Sequence, residues 1–100
     1  MQRIETLQLR AFRASDLSAA IDAFQQLVFP DRGDGLGDVL LLHDSALNND
    51  LCIILRWIDA AFNGKSPLGL RLAAAFSEFG RLDHHVWQCV EKRAAPSQNG

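Results

Sequence analysis

The sequence predicts an α+β fold, in which a four-stranded antiparallel sheet carries two helices on one face. Its most informative segment is 51–58, LCIILRWI, which is too short for a typical helix. Alternate residues of a strand face opposite sides of a sheet, and both sides of this strand are mostly apolar. Two helices in a chain of 100 residues can cover one side. We therefore expect a second copy of the chain on the other side.

The first strand and the first helix are predicted from two successive patterns. Residues Ile4–Arg13 are predicted as a strand. Ser15 then stands where a helix N-cap is expected, because its hydroxyl can accept an unpaired amide of the next turn. Apolar residues at helical spacing follow it, which predicts an amphipathic helix over Asp16–Val28. Pro30 is expected to end that helix.

The middle of the chain is predicted to form two further strands. Val39–His43 is a continuous apolar run, and Leu51–Asp59 contains the segment described first. The glycine-rich stretch 31–38 precedes them. No strand leads into it and no helix follows it, so we interpret it as a connector and not as a phosphate-binding loop.

A tight hairpin is predicted between these two strands. Asn48-Asn49 can adopt positive φ at both positions, as a two-residue hairpin turn requires. If these two residues form the turn, Leu42 lies opposite Leu55 and Leu40 lies opposite Trp57.

The last two elements complete the predicted topology. Ser66-Pro67 has the N-cap hydroxyl and the first-turn proline of a helix start, and Pro67–Phe79 is the predicted helix. Gly80 is expected to be its left-handed C-terminal cap. Leu82–Glu91 is the last strand. The order βαββαβ is that of the ferredoxin-like arrangement, for which we expect the strand order 4-1-3-2.

Length and composition favour one domain over residues 1–92, followed by a flexible tail over 93–100. The formal net charge of −2 gives no field that attracts nucleic acid. No apolar run is long enough for a membrane helix, and the first residues lack the apolar core of a signal peptide. Cys52 and Cys89 lie within apolar stretches, which is typical of reduced thiols. We therefore expect a cytoplasmic protein with no membrane or nucleic-acid partner.

The chain resembles the dimeric α+β-barrel superfamily, and within it the antibiotic biosynthesis monooxygenase-like group. The resemblance covers roughly residues 4–91 and rests on three features: the element order, the tryptophan of Arg56-Trp57-Ile58-Asp59 near the end of the third strand, and the Ser66-Pro67 helix start. It implies a homodimer whose sheets pack face to face, with a cleft in each subunit between sheet and helices.

The same resemblance implies two classes of activity. Some members are cofactor-free oxygenases that act on polycyclic quinol-type substrates, and others degrade haem. The haem-degrading members use an asparagine on the first strand, the third-strand tryptophan and a helix histidine. Trp57 matches the tryptophan, but Gln8 is the nearest analogue of the asparagine and the second helix has no histidine. These departures argue against haem degradation, and we expect no cofactor.

Three histidines are candidate site residues. His84 and His85 are adjacent on a strand and must face opposite sides, so they cannot both bind one metal ion. We therefore expect no metal site. Either histidine is a candidate acid or base in the cleft. The ordinary interpretation is that one packs at the dimer interface and the other lies near solvent. His43, at the end of the second strand, is explained equally well as a polar residue that ends the strand and as a catalytic residue.

Two tryptophans and one arginine complete the set of candidate ligand-binding residues. Trp57 and Trp87 are candidate walls for a flat ligand, although a buried tryptophan is more often a packing residue with its N–H satisfied. Trp57 is predicted to face the helices together with Leu55 and Leu40. Arg56 interrupts an apolar strand and needs an anion, either the ligand or a carboxylate such as Asp83 or Glu91 across the dimer.

Three functions are compatible with this sequence. The first is a cofactor-free oxygenase that binds a flat apolar small molecule against Trp57, oriented by Arg56 or a histidine. The second is a non-catalytic dimeric module that binds a small ligand or a partner chain. The third is a structural domain whose cleft is filled by phenylalanines, for which the candidates are Phe24, Phe76 and Phe79.

Overall fold

The computed structural model describes residues 2–29, 35–58 and 63–96. Pro30, most of the glycine-rich stretch 31–38, Asp59 and the end of the predicted tail lie outside the described residues. The elements in chain order are β1 (Arg3–Ala11), α1 (Ala14–Gln25), β2 (Leu36–His43), β3 (Asp50–Trp57), α2 (Pro67–Phe76) and β4 (Gly80–Gln88).

The four strands form one antiparallel sheet in the order β2-β3-β1-β4, which confirms the predicted order. The ferredoxin-like α+β class is likewise confirmed. Both helices pack on the same face of the sheet. The fully buried strand residues Leu7 and Leu55 contact that layer, together with Ala20 of α1 and Leu72 of α2. Burial of these side chains is the main stabilising contribution to the fold.

The sheet therefore has two different faces. The face toward the helices (the helix face) carries the alternate buried residues of β1 and β3, from Glu5 to Ala11 and from Leu51 to Trp57. The opposite face (the open face) carries the other set, and large apolar side chains there remain exposed. Trp87 is 58% exposed and Leu42 is 45% exposed. No helix within the described residues is long and apolar enough to span a membrane.

The predicted hairpin register is wrong. Leu42 pairs with Cys52 and not with Leu55, a shift of three residues. Asp44 causes the difference, because its carboxylate accepts the backbone N–H groups of Ala46 and Leu47 (2.8 Å each) and organises a longer connection. Asn48 and Asn49 are the central residues of a turn that is closed by the N–H of Asp50 donating to the backbone oxygen of Leu47 (3.4 Å). No non-glycine residue of the described chain has positive φ, so this turn is not the predicted two-residue hairpin turn.

An odd shift in register moves a strand's side chains to the opposite face. Leu40 consequently pairs with Ile54 and lies on the open face, which corrects the prediction that it shares a face with Trp57. Trp57 and Leu55 do lie together on the helix face, as predicted.

The helix ends also differ from the prediction. Helix α1 begins two residues earlier, with Arg13 at the N-cap position and no side-chain cap. Ser15 is therefore inside the helix, and Arg13 instead contacts Asp16 through its guanidinium (3.1 Å). Gly80 is not a left-handed cap, since it begins β4. A Cβ atom at Gly80 would lie 2.1 Å from the backbone oxygen of Arg10, so close packing of β4 on β1 requires glycine here.

Candidate functional site

A buried carboxylate on the helix face is the centre of the candidate site. Glu5 of β1 is 1% exposed and lies between the sheet and the N-terminus of α2. Its Oε1 atom accepts the indole N–H of Trp57 (3.0 Å) and the hydroxyl of Ser66 (2.6 Å). Its Oε2 atom accepts the backbone N–H of Ser66 (3.1 Å) and lies 2.5 Å from Nε2 of His84. Strands β1, β3 and β4 and helix α2 each contribute a residue.

The contacts with Ser66 make Glu5 part of the helix start. Ser66 is the N-cap of α2, and its hydroxyl oxygen accepts the N–H of Gly69 (2.8 Å), three residues later. In a capping box, the residue at that later position returns a carboxylate to the N-cap N–H. Gly69 has no side chain to do so, and Glu5 supplies the carboxylate from the neighbouring strand. The positive end of the helix dipole further stabilises a negative charge at this place.

Gly69 is required by the position of Glu5. A Cβ atom at residue 69 would lie 1.9 Å from Oε2 of Glu5 and 2.9 Å from Nε2 of His84. Both distances are well below van der Waals contact, so a larger residue would displace the carboxylate. The buried Glu5–His84 pair and the close approach of α2 to the sheet therefore depend on each other.

The hydrogen bonds of Glu5 favour one tautomer of His84. Glu5 has four contacts, two at each oxygen, which is the number that a carboxylate can accept. Because three of these partners are donors, the arrangement fits a carboxylate that also accepts an N–H from Nε2 of His84. The second ring nitrogen, Nδ1, is then left for other chemistry. The His84 side chain is 5% exposed and lies on β4, an edge strand of the sheet.

Arg3 lies at the end of the same face. It is two residues before Glu5 on β1, and it is opposite Trp57 in the pairing of β1 with β3. Its Nη2 atom donates to the side-chain oxygen of Asn63 (2.9 Å). Its Nη1 atom is buried and has no hydrogen-bond partner among the described residues. Arg3 is half-buried, and its backbone is paired with that of Trp57 on the neighbouring strand.

The structure brings together only two of the predicted site residues, Trp57 and His84. His85, Trp87 and Arg56 lie on the open face, on the other side of the sheet from Glu5. The indole N–H of Trp87 donates to the hydroxyl of Thr6 (3.1 Å), and the His85 ring lies 6.1 Å from that of Trp87. His43 is exposed and contacts the backbone oxygen of Asn48 (2.8 Å) at the hairpin.

Arg56 has a partner that the sequence analysis did not name. It forms a two-pronged ion pair with Asp38 of the adjacent strand, within the same chain, so it needs no carboxylate of a second copy. The hydrogen bond from the Arg56 guanidinium holds the pKa of Asp38 below its ordinary value. Arg56 is therefore satisfied on the open face and is not placed to orient a ligand beside Trp57.

A second feature of the open face is a groove of about 950 Å³. It lies away from the Glu5 site, at the end of the sheet where β1 leads toward α1. Its walls include Leu42, Cys52 and the ion pair of Arg10 with Asp50 (3.1 Å). No group of three histidine, cysteine, aspartate or glutamate side chains suited to a metal ion occurs in the described ranges.

Sequence reasoning missed Glu5, although a signal was present. Glu5, Leu7, Leu9 and Ala11 alternate onto one face of the first strand, and that face is buried. A charged residue on a buried face needs specific partners. His84 and the Ser66 cap are separated from Glu5 by dozens of residues, and only the sheet order brings them together. No sequence pattern identifies Arg3 as a site residue, because the sequence does not show which arginines have carboxylate partners.

The fold is shared with solved structures at low sequence identity. One is SnoaB from Streptomyces nogalater, described as a cofactor-independent oxygenase. It is 14% identical, with a TM-score of 0.57 over 96% of this chain and 98% of SnoaB. A SnoaB variant with an asparagine replaced by alanine is 16% identical, with a TM-score of 0.59 over 91% and 95%.

A dimeric ferredoxin-like protein from an uncultured marine organism is 10% identical. Its TM-score is 0.60, over 93% of each chain. No protein-family model matches the chain, and no functionally curated protein matches it significantly. The similarity to the solved structures establishes the ferredoxin-like fold of the chain.

Proposed function

We propose that this protein is a homodimeric, cofactor-independent oxygenase of the antibiotic biosynthesis monooxygenase-like type. Its substrate is a flat, largely apolar small molecule that binds on the helix face near Trp57 and His84. The observation that carries the proposal is the buried Glu5–His84 pair, because a carboxylate 2.5 Å from Nε2 of an imidazole is an arrangement for accepting a proton. The cytoplasm is the proposed location, since Cys52 and Cys89 are both free thiols.

In this proposal Nδ1 of His84 accepts a proton from an acidic ring CH₂ of a quinol-type substrate. Glu5 holds the ring in the required tautomer and stabilises the imidazolium that forms. The resulting carbanion transfers an electron to O₂, and the two radicals combine as a peroxide that takes back the proton. The hydroperoxide then loses water to leave a ketone. The overall change is CH₂ plus O₂ to C=O plus H₂O, with no external reductant.

The buried surroundings support this chemistry. Leu55 and Leu68 are at most 8% exposed, so water is largely excluded around Glu5. Exclusion of water strengthens the electrostatic effect of Glu5 on the imidazolium. In this proposal the substrate reaches the ring of His84 from the edge of the sheet that β4 forms. The similarity of the fold to that of SnoaB is consistent with the reaction class but extends only to the backbone.

The open face supports the homodimer. Leu42, Ile58 and Trp87 are 45%, 64% and 58% exposed, which is unusual for side chains of this size in a monomer. A second sheet packed on this face would cover Leu42 and Trp87. Sedimentation at micromolar concentration is expected to give twice the chain mass, and Leu42→Asp is expected to shift it toward the monomer. A stable wild-type monomer would remove this part of the proposal.

Oxygen uptake with 1,8-dihydroxyanthrone, a tricyclic quinol-type probe, tests the activity. After subtraction of the spontaneous reaction, wild-type protein is expected to accelerate uptake. His84→Gln keeps an N–H donor for Glu5 but removes the imidazole, and should lower the rate by about 10²-fold or more. His43→Gln is the matched control, because His43 is exposed and remote from Glu5. Equal rates for wild type and His84→Gln would contradict the assignment of the base.

One observation favours a non-catalytic module as the second candidate. Every acceptor position of Glu5 is used within the fold, and Phe76 of α2 is 2% exposed, with Phe24 and Phe79 packed on the same core. A filled, fully bonded interior is what a structural or ligand-binding domain needs. Binding of the anthrone without oxygen uptake would support this candidate over the oxygenase.

A further inference from the structure

The charged side chains of the open face divide into those that the fold pairs and those that it leaves over. Arg56 is paired with Asp38, and Arg10 is held by both carboxylate oxygens of Asp50 (3.1 Å each). The carboxylate of Asp44 is used by the backbone N–H groups of the hairpin. Along the described strands, one arginine and one aspartate remain on this face, and both belong to β4.

These two residues are Arg81 and Asp83, here called the β4 charges. They are two positions apart on β4, so their side chains leave the same face of the sheet. That face is the open one, because Leu82 between them packs against the core. Both are exposed and line the groove of the open face. Neither forms an ion pair with a described residue.

The β4 charges are remote from the described residues that border ranges 30–34 and 59–62. Three of these bordering residues, Gly35, Ile58 and Asn63, lie at the end of the sheet where β1 begins. Arg81 pairs with Arg10, seven residues after the first residue of β1, which is about 23 Å along the strand. Range 97–100 contains no charged side chain.

The surroundings of Arg81 favour an anion from outside the chain. Arg81 lies directly opposite Arg10 in the pairing of β1 with β4, and like charges at such positions repel each other. Asp83 lies opposite Gln8, which is uncharged. A second sheet that covers the open face takes the β4 charges out of bulk water, and a buried charge without a partner is strongly unfavourable. Dimerisation through this face therefore requires that the β4 charges be paired.

We propose that Arg81 of each protomer forms an ion pair with Asp83 of the partner subunit, so that the β4 charges join the two sheets reciprocally. A two-fold interface is self-complementary, because each contact between two residues occurs twice with the copies exchanged. One cation and one anion per copy then give two ion pairs and leave no charge over. This inference rests on the proposed function, because it assumes the homodimer through the open face. It adds the contacts that fix the register of the two sheets.

Reversal of one charge at a time, followed by mixing, tests this pairing. Arg81→Asp and Asp83→Arg each place like charges at both contacts of a homodimer. The dissociation constant of either variant homodimer should rise about 100-fold or more above that of the wild type. A mixture of the two variants restores both attractions, so a heterodimer should form with a dissociation constant within about tenfold of the wild-type value. Sedimentation measures these constants, and native mass spectrometry identifies the heterodimer by its mass.

Arg71→Asp and Asp22→Arg are the matched control. Arg71 and Asp22 are exposed residues of α2 and α1, on the other side of the sheet from the open face. The two substitutions change the net charge of the chain by the same amounts as the test variants. Each control variant should remain a homodimer, and their mixture should give homodimers and heterodimers in statistical proportions. Selective heterodimers of the control variants would assign the effect to net charge and overturn the pairing.

The other outcomes are distinguishable. If the wild type is a monomer, the proposed homodimer fails and the pairing fails with it. If the wild type and the single variants dimerise equally well, the pairing is wrong and the homodimer stands. If both variants are monomers and their mixture forms no heterodimer, the β4 charges do not pair across the interface.

Neutral variants keep the pairing testable if a reversal variant does not fold. Arg81→Gln and Asp83→Asn should each weaken the homodimer about tenfold, because each removes both ion pairs. The double variant should be no weaker than either single variant, since the two residues act through the same contacts. Effects that multiply in the double variant would show that the two residues act independently, and would overturn the pairing.

Discussion

Replacing Gly69 by alanine tests the buried site with a change of one methyl group. At an ordinary helical position the replacement of glycine by alanine stabilises a helix by about 1 kcal/mol. Here the new Cβ would lie 1.9 Å from Oε2 of Glu5, so the carboxylate must withdraw by about 1.5 Å to reach van der Waals contact. This movement lengthens its hydrogen bonds to Ser66 N–H and His84 beyond useful range.

The two effects have opposite signs, and their sizes decide the outcome. Hydrogen bonds to a charged group contribute about 1.5–3 kcal/mol each. Loss of two of them outweighs the gain in helix propensity, so Gly69→Ala should lower the free energy of unfolding by about 2–5 kcal/mol. In a Glu5→Ala background the closest contact is gone, and the His84 ring, 2.9 Å from the new Cβ, no longer has a carboxylate that holds it there. The same Gly69→Ala change should then raise the free energy of unfolding by roughly 0.5–1 kcal/mol.

Urea unfolding of the two single variants, the double variant and the wild type measures this reversal of sign. All four proteins must be compared at one concentration, because dimer stability depends on concentration. If Glu5→Ala does not fold, Glu5→Asp replaces it, since a carboxylate shorter by one methylene group also withdraws from residue 69. Gly69→Ala that stabilises the wild-type background would refute the close approach of Glu5 to α2.

Four further outcomes are expected. Trp57→Phe should cost about 1–2 kcal/mol of stability through the lost hydrogen bond to Glu5, and Trp57→Ala about 3–5 kcal/mol through the cavity as well, both by urea unfolding. Backbone N–H groups of the hairpin lower the pKa of Asp44. The stability that its carboxylate contributes is therefore present above the ordinary carboxyl range and is lost as the pH falls through the folded-state pKa. Asp44→Asn should flatten the decline of the urea midpoint between about pH 5 and pH 2. Burial raises the pKa of the Cys52 thiol, so iodoacetamide should modify Cys52 more slowly than free cysteine at pH 8, and mass measurement of the non-reduced, denatured chain should find two free thiols. Haem with a reductant should keep its Soret band, because β1 has no asparagine and α2 has no histidine; release of an open tetrapyrrole would contradict this.

Element order and strand order could be predicted because they depend on patterns that are local in sequence. The apolar alternation of 51–58 and the Ser66-Pro67 helix start each identify an element, and the order of elements then restricts the topology. The hairpin register could not be predicted from the same information. It depends on whether Asp44 or the Asn48-Asn49 pair organises the turn, and both are favourable turn residues.

The candidate site was predicted in part, for a related reason. Trp57 and His84 were identified by residue type, which is visible in the sequence. Arg56 and Arg3 are the same residue type, and only the pairing of strands shows that Asp38 satisfies one of them, while Nη1 of the other has no acceptor among the described residues. Partnerships between distant residues therefore decide which polar side chains are available for a ligand.

The structural and chemical roles proposed for Glu5 use one set of hydrogen bonds, but they make different demands on His84. Stability of the α2 N-terminus requires only a donor at the position of Nε2, which a glutamine amide can also provide. Proton transfer requires the second nitrogen of the ring, and the donor at Nε2 is what fixes Nδ1 as the acceptor. Substitution of Glu5 removes both roles together, because it also leaves Trp57 and Ser66 without their acceptor. Loss of activity in a Glu5 variant is therefore compatible with either role. His84→Gln retains the first role and removes the second, so the ratio of its activity to its stability is the quantity that separates an enzyme from a module with a well-bonded core.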